Sequence, residues 1–208
     1  MTGEKVNPIP NILTLIRLFA GLAMFLMLDG AAGGIPFFSS SLTPDMQFVL
    51  QRWSFYAFII ASLTDLFDGM LARQLHAESR WGAILDPIAD KILVCGTILG
   101  LFTLNTADPV FALPSAIILF REFAVSALRE SAAGRGVQVP VSLLGKIKTT
   151  VQLVALGTLL LYQSWAAFNF DPAASSIIFL LSCILMWAAA LISIWTGAAY
   201  FIAARKEL

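Results

Sequence analysis

Residues 65–90 read DLFDGMLARQLHAESRWGAILDPIAD, a polar stretch that joins two long apolar runs. The first run ends near residue 72 and the second begins near residue 84, which leaves a short connection from Gln74 to Trp81. Helices joined by a short connection pack as antiparallel neighbours. The stretch therefore predicts a helical hairpin that carries aspartates on both sides of its turn.

The spacing of these aspartates places them on the facing sides of the hairpin. Asp65 and Asp68 are three positions apart, so they share one side of the first helix. Asp86 and Asp90 are four positions apart and share one side of the second helix. Three small residues lie on the same two sides: Gly69, Ala72 and Gly82. The hairpin is thus expected to present its carboxylates around a floor of small residues.

The whole chain is too apolar for a water-soluble domain of its size. Of its 208 residues, 59% are hydrophobic and 12% are charged, and its mean hydropathy is +0.84. Soluble domains are about half apolar and about one quarter charged. Lipid is therefore the predicted solvent, and in lipid only a helix satisfies its backbone groups segment by segment. The formal net charge of zero gives no reason to expect a nucleic-acid partner.

A helical span needs about 20 mostly apolar residues. Six segments meet this need: 11–28, 52–72, 84–104, 109–130, 145–165 and 174–203. The first contains Arg17 and lacks a signal-peptide cleavage site, so it is expected to be retained. Gly30 to Pro44 is predicted to be a loop. We expect an all-α integral membrane protein with six transmembrane helices and a single domain over residues 1–208.

Basic residues near the span ends predict the orientation. One side of the membrane carries Lys5, Arg73, Arg80, Arg129, Arg135, Lys146, Lys148, Arg205 and Lys206. The opposite loops carry Asp29, Asp45, Asp108 and Asp171, with Arg52 nearby. Because cytoplasmic loops are the basic ones, both termini are expected in the cytoplasm.

Ionisable residues also lie inside the predicted spans or at their ends. They are Arg17, Asp65, Asp68, Asp86, Asp90, Lys91, Arg121 and Glu122. A charge within the bilayer is costly and marks a functional site by default. All of these residues fall in the cytoplasmic halves of their helices, which predicts one polar cavity open to the cytoplasm.

Clustered carboxylates in a low-dielectric site repel one another unless cations are present, and hard oxygen ligands select Mg²⁺, Mn²⁺ or Ca²⁺. Two such ions about 4 Å apart can clamp a phosphate during displacement at phosphorus. Arg73 and Ser79 are placed to bind phosphate or ribose oxygens.

Two other interpretations remain open from the carboxylates alone: a solvated helix face, and the cation or proton relay of a transporter. A transporter needs a polar path on both sides of the bilayer, whereas these spans carry nearly all their charge in one half.

The pattern D-x2-D-G-x2-A-R-x8-G-x3-D-x3-D resembles the signature of the CDP-alcohol phosphatidyltransferases. Its fixed positions are Asp65, Asp68, Gly69, Ala72, Arg73, Gly82, Asp86 and Asp90. The resemblance implies six transmembrane helices, a homodimer, and a CDP-activated lipid donor from which CMP leaves.

The resemblance also implies roles by position. Asp65, Asp68 and Asp86 correspond to metal ligands for two Mg²⁺ or Mn²⁺ ions, and Asp90 to a general base that also reaches a metal. Contacts to the CDP part are implied for Asn11, Thr14, Gly69, Ala72, Arg73, Ser79 and Gly82.

Three further stretches, PNILTLIR (10–17), REFAVSALRE (121–130) and LLGKIKTT (143–150), resemble the bacterial members of the family that make phosphatidylglycerophosphate. This resemblance implies CDP-diacylglycerol as donor, glycerol 3-phosphate as acceptor, and a place in the bacterial inner membrane. Inositol phosphate or serine remains open as the acceptor.

Basic residues in two of these stretches favour a phosphorylated acceptor. They are Arg121, Arg129, Lys146 and Lys148. Arg121 and Arg129 are eight positions apart on one predicted helix, and the two lysines begin the next helix. We expect all four to converge on the phosphate. The alternative is that they anchor helices at the membrane interface.

Overall fold

The computed structural model describes residues 9–75, 80–104, 108–136 and 143–207. Within these ranges only the backbone is described for residues 9–10, 66–75, 80–81, 83, 143 and 206–207. Six long helices occupy the described ranges: α1 (Ile9–Ala32), α2 (Pro44–Leu75), α3 (Arg80–Leu104), α4 (Pro109–Gly134), α5 (Leu143–Gln163) and α6 (Pro172–Glu207). Two 3₁₀ turns lie at Ser39–Ser41 and Trp165–Phe168.

This architecture confirms the all-α prediction with six long helices. Five of them, α1, α3, α4, α5 and α6, are long and apolar enough to cross a membrane, as judged over the described residues. α2 has 32 residues, which is long enough, but Gln51, Arg52 and Asp65 interrupt its apolar character. The protein is thus a multi-pass helical membrane protein.

Local sequence signals explain where the helices begin and end. α2 begins at Pro44, earlier than the predicted residue 52, because Thr43 caps it: Thr43 Oγ1 accepts a hydrogen bond from the Met46 amide at 3.4 Å. α1 continues to Ala32, three residues into the predicted loop, and ends where Gly33 takes a φ of +95°. Asp108 caps α4 by accepting from the Val110 amide at 3.0 Å.

The chain forms two compact units. The first comprises Met1–Thr106 and Gln163–Phe170, and so contains α1, α2 and α3. In it α1 and α3 approach closely through small residues: a Cβ on Gly21 would lie 3.5 Å from the Leu93 backbone, and one on Gly96 would lie 3.7 Å from the Gly21 carbonyl oxygen. Its core includes Met24, Leu28, Phe58, Ala61, Leu93 and Ile98.

The second unit comprises Ala107–Tyr162 and Asp171–Leu208, and so contains α4, α5 and α6. α4 and α5 both meet α6 through aromatic rings. Phe179 on α6 lies 5.7 Å from the ring of Phe111 and 5.1 Å from that of Tyr162. The buried core includes Ile118, Leu156, Leu160, Met186 and Ala189. α6 is the longest helix described, with 36 residues, whereas α5 has 21.

The contact of α1 with α3 yields a stability prediction for Gly100→Ala. An alanine Cβ would lie 2.6 Å from Leu28 Cδ1 and 3.1 Å from Leu28 Cβ, and Leu28 is fully buried. Such overpacking costs about 1–3 kcal/mol of unfolding free energy. The melting temperature of the purified protein in detergent should therefore fall.

Gly134→Ala is the matched control, because a Cβ there meets nothing within 4 Å. This variant should melt at the wild-type temperature or slightly above it. Equal melting temperatures for Gly100→Ala and wild type would contradict the close packing of α1 on α3.

Candidate active site

Two polar side chains on α1, Thr14 and Arg17, reach the aspartates of the motif. Thr14 Oγ1 donates a hydrogen bond to Asp86 Oδ1 at 2.5 Å. Arg17 Nη1 donates to Asp90 Oδ1 at 2.6 Å and lies 3.1 Å from Asp65 Oδ1. Thr14 and Arg17 are three positions apart and therefore share one side of α1. One side of α1 thus contacts three motif carboxylates.

These carboxylates come from two helices but meet at one place. Asp65 lies on α2 and Asp90 on α3, and an oxygen of each lies within 3.1 Å of the same guanidinium nitrogen. The exposed fraction of the side chain is 24% for Asp65 and 53% for Asp90, whereas it is only 2% for Arg17. The site is therefore closed on the side of α1 and accessible at Asp90.

The remaining motif positions are described less fully. Asp68, Gly69, Ala72 and Arg73 lie on α2, where the structure describes the backbone only. Ser79 lies outside the described residues. Gly82 is buried in the first turn of α3, and Asn11 is half-buried near the start of α1.

The described donors suit a hard divalent cation. Among the described side chains no group of three acidic, histidine or cysteine residues is arranged as a metal site, and this set lacks Asp68. However, Asp65 and Asp90 already place their oxygens around one positive charge. Carboxylate oxygens that converge on a cation are the ligands that Mg²⁺ and Mn²⁺ prefer.

The sequence alone indicates only that Arg17 is an ionisable residue inside a span. Its contacts join segments more than forty residues apart in sequence, which local spacing does not reveal. The available signal was the cost of an arginine inside an apolar helix, which requires a partner.

A second charged cluster lies in the other unit, around Glu122 on α4. The side chain of Lys148 on α5 is only 3% exposed, and it forms an ion pair with Glu122 Oε1. Arg121 Nη1 lies 3.5 Å from the same oxygen. Its Nη2 donates to Thr196 Oγ1 at 3.4 Å, and its guanidinium lies 5.7 Å from the centre of the Tyr200 ring.

The structure therefore brings together Arg121 and Lys148, whereas Arg129 and Lys146 are exposed. Helix geometry explains the difference. Eight residues correspond to a rotation of about 80° beyond two full turns, so Arg129 does not lie directly below Arg121. Two residues correspond to about 200°, so Lys146 and Lys148 point to opposite sides of α5.

A close approach of backbone supports Arg121 from α6. A Cβ on Gly197 would lie 3.2 Å from Arg121 Cγ, so the glycine leaves room for the arginine stem. Arg121 is thus held between Glu122 on its own helix and Thr196, Gly197 and Tyr200 on α6.

Comparison with known proteins places this chain in a family. A sequence model described as CDP-alcohol phosphatidyltransferase matches residues 7–195. The chain is similar to a CDP-diacylglycerol–glycerol-3-phosphate 3-phosphatidyltransferase of Rickettsia typhi, with 37% identity over 95% of this chain and 97% of the relative. The Escherichia coli protein of the same name is 36% identical over 96% of both chains. That of Rickettsia bellii is 42% identical over 72% of this chain and 77% of the relative. The chain therefore belongs to the CDP-alcohol phosphatidyltransferase family.

Proposed function

We propose that this protein transfers a phosphatidyl group from CDP-diacylglycerol to glycerol 3-phosphate, which yields phosphatidylglycerophosphate and CMP. The observation that carries the proposal is the convergence of Asp65 and Asp90 within the family's aspartate motif. Their oxygens lie 3.1 and 2.6 Å from the same nitrogen, Nη1, of Arg17. The names of the similar bacterial proteins support this donor and acceptor.

Two divalent ions, Mg²⁺ or Mn²⁺, are the proposed cofactors, held by Asp65, Asp68, Asp86 and Asp90. When bound they supply positive charge to the diphosphate and to the leaving oxygen. The chain's own residues then orient the reactants. Thr14 holds the Asp86 carboxylate through its hydroxyl, and Arg17 holds Asp65 and Asp90. Arg73 and Ser79 are proposed to bind the CDP part.

Asp90 is the proposed general base, and its accessible side chain supports this role. It takes the proton from the acceptor hydroxyl while that oxygen bonds to the β-phosphorus of CDP-diacylglycerol. The bond from this phosphorus to the CMP oxygen breaks, and CMP leaves. Positioning and charge stabilisation supply most of the acceleration in such displacements.

Arg121 and Lys148 are the proposed site for the acceptor phosphate, with Arg129 and Lys146 as further basic residues of the same region. Both cations contact Glu122; Lys148 is buried and Arg121 is half-buried. A guanidinium suits a phosphate because its parallel N–H groups bind two oxygens at once. We also propose that the chain functions as one domain and a homodimer, with the site and both termini on the cytoplasmic side of a bacterial inner membrane.

The experiment that tests the function is an acceptor panel. Purified protein in detergent is supplied with CDP-diacylglycerol and Mg²⁺ or Mn²⁺, and CMP release is measured with glycerol 3-phosphate, glycerol, serine and inositol phosphate. Release that depends on glycerol 3-phosphate is the expected result. Equal release with unphosphorylated glycerol would show that the acceptor assignment is wrong.

Replacing Arg121 by alanine is expected to raise the KM for glycerol 3-phosphate. The lost charge-assisted contact is worth about 1.5–3 kcal/mol, which corresponds to a ten- to hundredfold change in binding. The KM for CDP-diacylglycerol should stay nearly constant, as initial-rate measurements with each substrate varied will show. Arg121→Lys keeps the charge but loses the paired N–H groups, so part of the defect should remain.

Arg135→Ala serves as the control, because Arg135 is an exposed basic residue just beyond the end of α4. Its kinetic constants should match those of wild type. An unchanged KM for glycerol 3-phosphate in Arg121→Ala would exclude Arg121 from the acceptor site. Its role would then be to anchor its helix at the membrane interface.

A further inference from the structure

Arg17 is a buried cation inside an apolar helix. It lies in the apolar segment Asn11–Ala32 of α1 and is among the largest fully buried side chains. A charge in such a place is costly unless it is paired. Its position therefore requires the carboxylates that it contacts.

Its contacts join two helices of the hairpin. The same nitrogen, Nη1, lies 2.6 Å from an Asp90 oxygen on α3 and 3.1 Å from an Asp65 oxygen on α2. Without a cation between them, two carboxylates at this distance would repel one another strongly. Arg17 thus supplies the positive charge that offsets this repulsion and holds the two side chains close together.

The same carboxylates are the proposed ligands of a divalent ion. An ion bound to both would compete with the guanidinium for their oxygens, and two positive charges a few ångströms apart repel one another. The positive charge of Arg17 would therefore weaken the binding of a divalent ion to these carboxylates.

We propose that Arg17 is a built-in counter-cation that holds Asp65 and Asp90 together in the metal-free protein and thereby sets the affinity of the site for divalent ions. Arg17 is a positioning residue in this role, because it acts through the carboxylates. The inference rests on the metal site of the proposed function and is independent of the acceptor.

The test is direct binding of Mn²⁺ to purified protein in detergent without either substrate. The concentration of free Mn²⁺ is measured by its electron paramagnetic resonance signal during the titration. Arg17→Gln removes the competing charge, so its dissociation constant for Mn²⁺ should be at least about tenfold lower than that of wild type. Without metal the variant should melt at a lower temperature than wild type, and saturating Mn²⁺ should close that gap. A purely structural role for Arg17 would not tighten Mn²⁺ binding.

Arg121→Gln is the matched control. It makes the same substitution at another guanidinium that pairs with a carboxylate, in the other unit, and should leave Mn²⁺ affinity unchanged. If Arg17→Gln does not fold, Arg17→Lys decides, because lysine keeps the charge but bridges two carboxylates less well. Its Mn²⁺ affinity should rise as the bridge weakens, by less than the tenfold change expected for Arg17→Gln.

Unchanged or weaker Mn²⁺ binding in Arg17→Gln, or in Arg17→Lys where that variant decides, overturns the proposal. Failure of wild type to bind Mn²⁺ at all would instead remove the metal site of the proposed function, and the inference with it. A negative acceptor panel with tighter Mn²⁺ binding in Arg17→Gln would leave this inference standing.

Discussion

Removal of divalent ions with EDTA is expected to abolish CMP release from CDP-diacylglycerol. The motif gathers carboxylates that need counter-cations, and Arg17 supplies one positive charge where Asp65 and Asp90 meet. The diphosphate of the donor brings further negative charge, which this arginine does not neutralise. Activity should return with Mg²⁺ or Mn²⁺, whose compact charge suits hard oxygen ligands.

The measurement is CMP release after dialysis against EDTA, followed by titration with each ion. Sodium chloride at matched ionic strength is the control for a general salt effect. Full turnover in rigorously metal-free buffer would exclude the proposed two-ion site.

Asp90→Asn is expected to lower the rate of CMP release by at least about a hundredfold, the usual scale for the loss of a general base. The amide has nearly the shape of the carboxylate, and its oxygen can still accept the hydrogen bond from Arg17. The variant should therefore fold, which a melting curve in detergent will verify. The loss should appear mainly in kcat, because the proton transfer occurs in the chemical step.

Asp45→Asn provides the comparison, since Asp45 is an exposed aspartate in the first turn of α2. Its activity should equal that of wild type. An Asp90→Asn rate within a few-fold of wild type would remove Asp90 from the mechanism.

The facing aspartates illustrate what could be predicted from the sequence. Steps of three and four residues define one side of a helix whatever surrounds it, and the apolar runs indicated two helices with a short connection. The convergence of Asp65 and Asp90 follows from those local rules. The start of α2 was also encoded, because Thr43 followed by Pro44 is a typical helix beginning, although the polar pair at positions 51 and 52 obscured it.

The partners of the charged residues could not be predicted in the same way. Arg17 contacts aspartates on two other helices, and such a pairing depends on how the helices pack. The basic residues are predicted to converge from the eight-residue spacing of Arg121 and Arg129, from the position of the two lysines at the start of the next helix, and from the membrane side that all four share. These observations do not give the rotation of each residue about its helix axis. In the structure Lys148 is buried against Glu122, whereas Lys146 is exposed.

The unequal lengths of α5 and α6 determine how the second unit tolerates the bilayer. At 1.5 Å per residue, the 36 residues of α6 rise about 54 Å and the 21 residues of α5 about 32 Å. The hydrocarbon layer is about 30 Å thick. α6 can therefore tilt, or extend into the headgroups, in membranes of different thickness. α5 is hardly longer than the hydrocarbon layer is thick. In a thicker bilayer α5, the helix that carries Lys148, would therefore be too short to span the hydrocarbon layer.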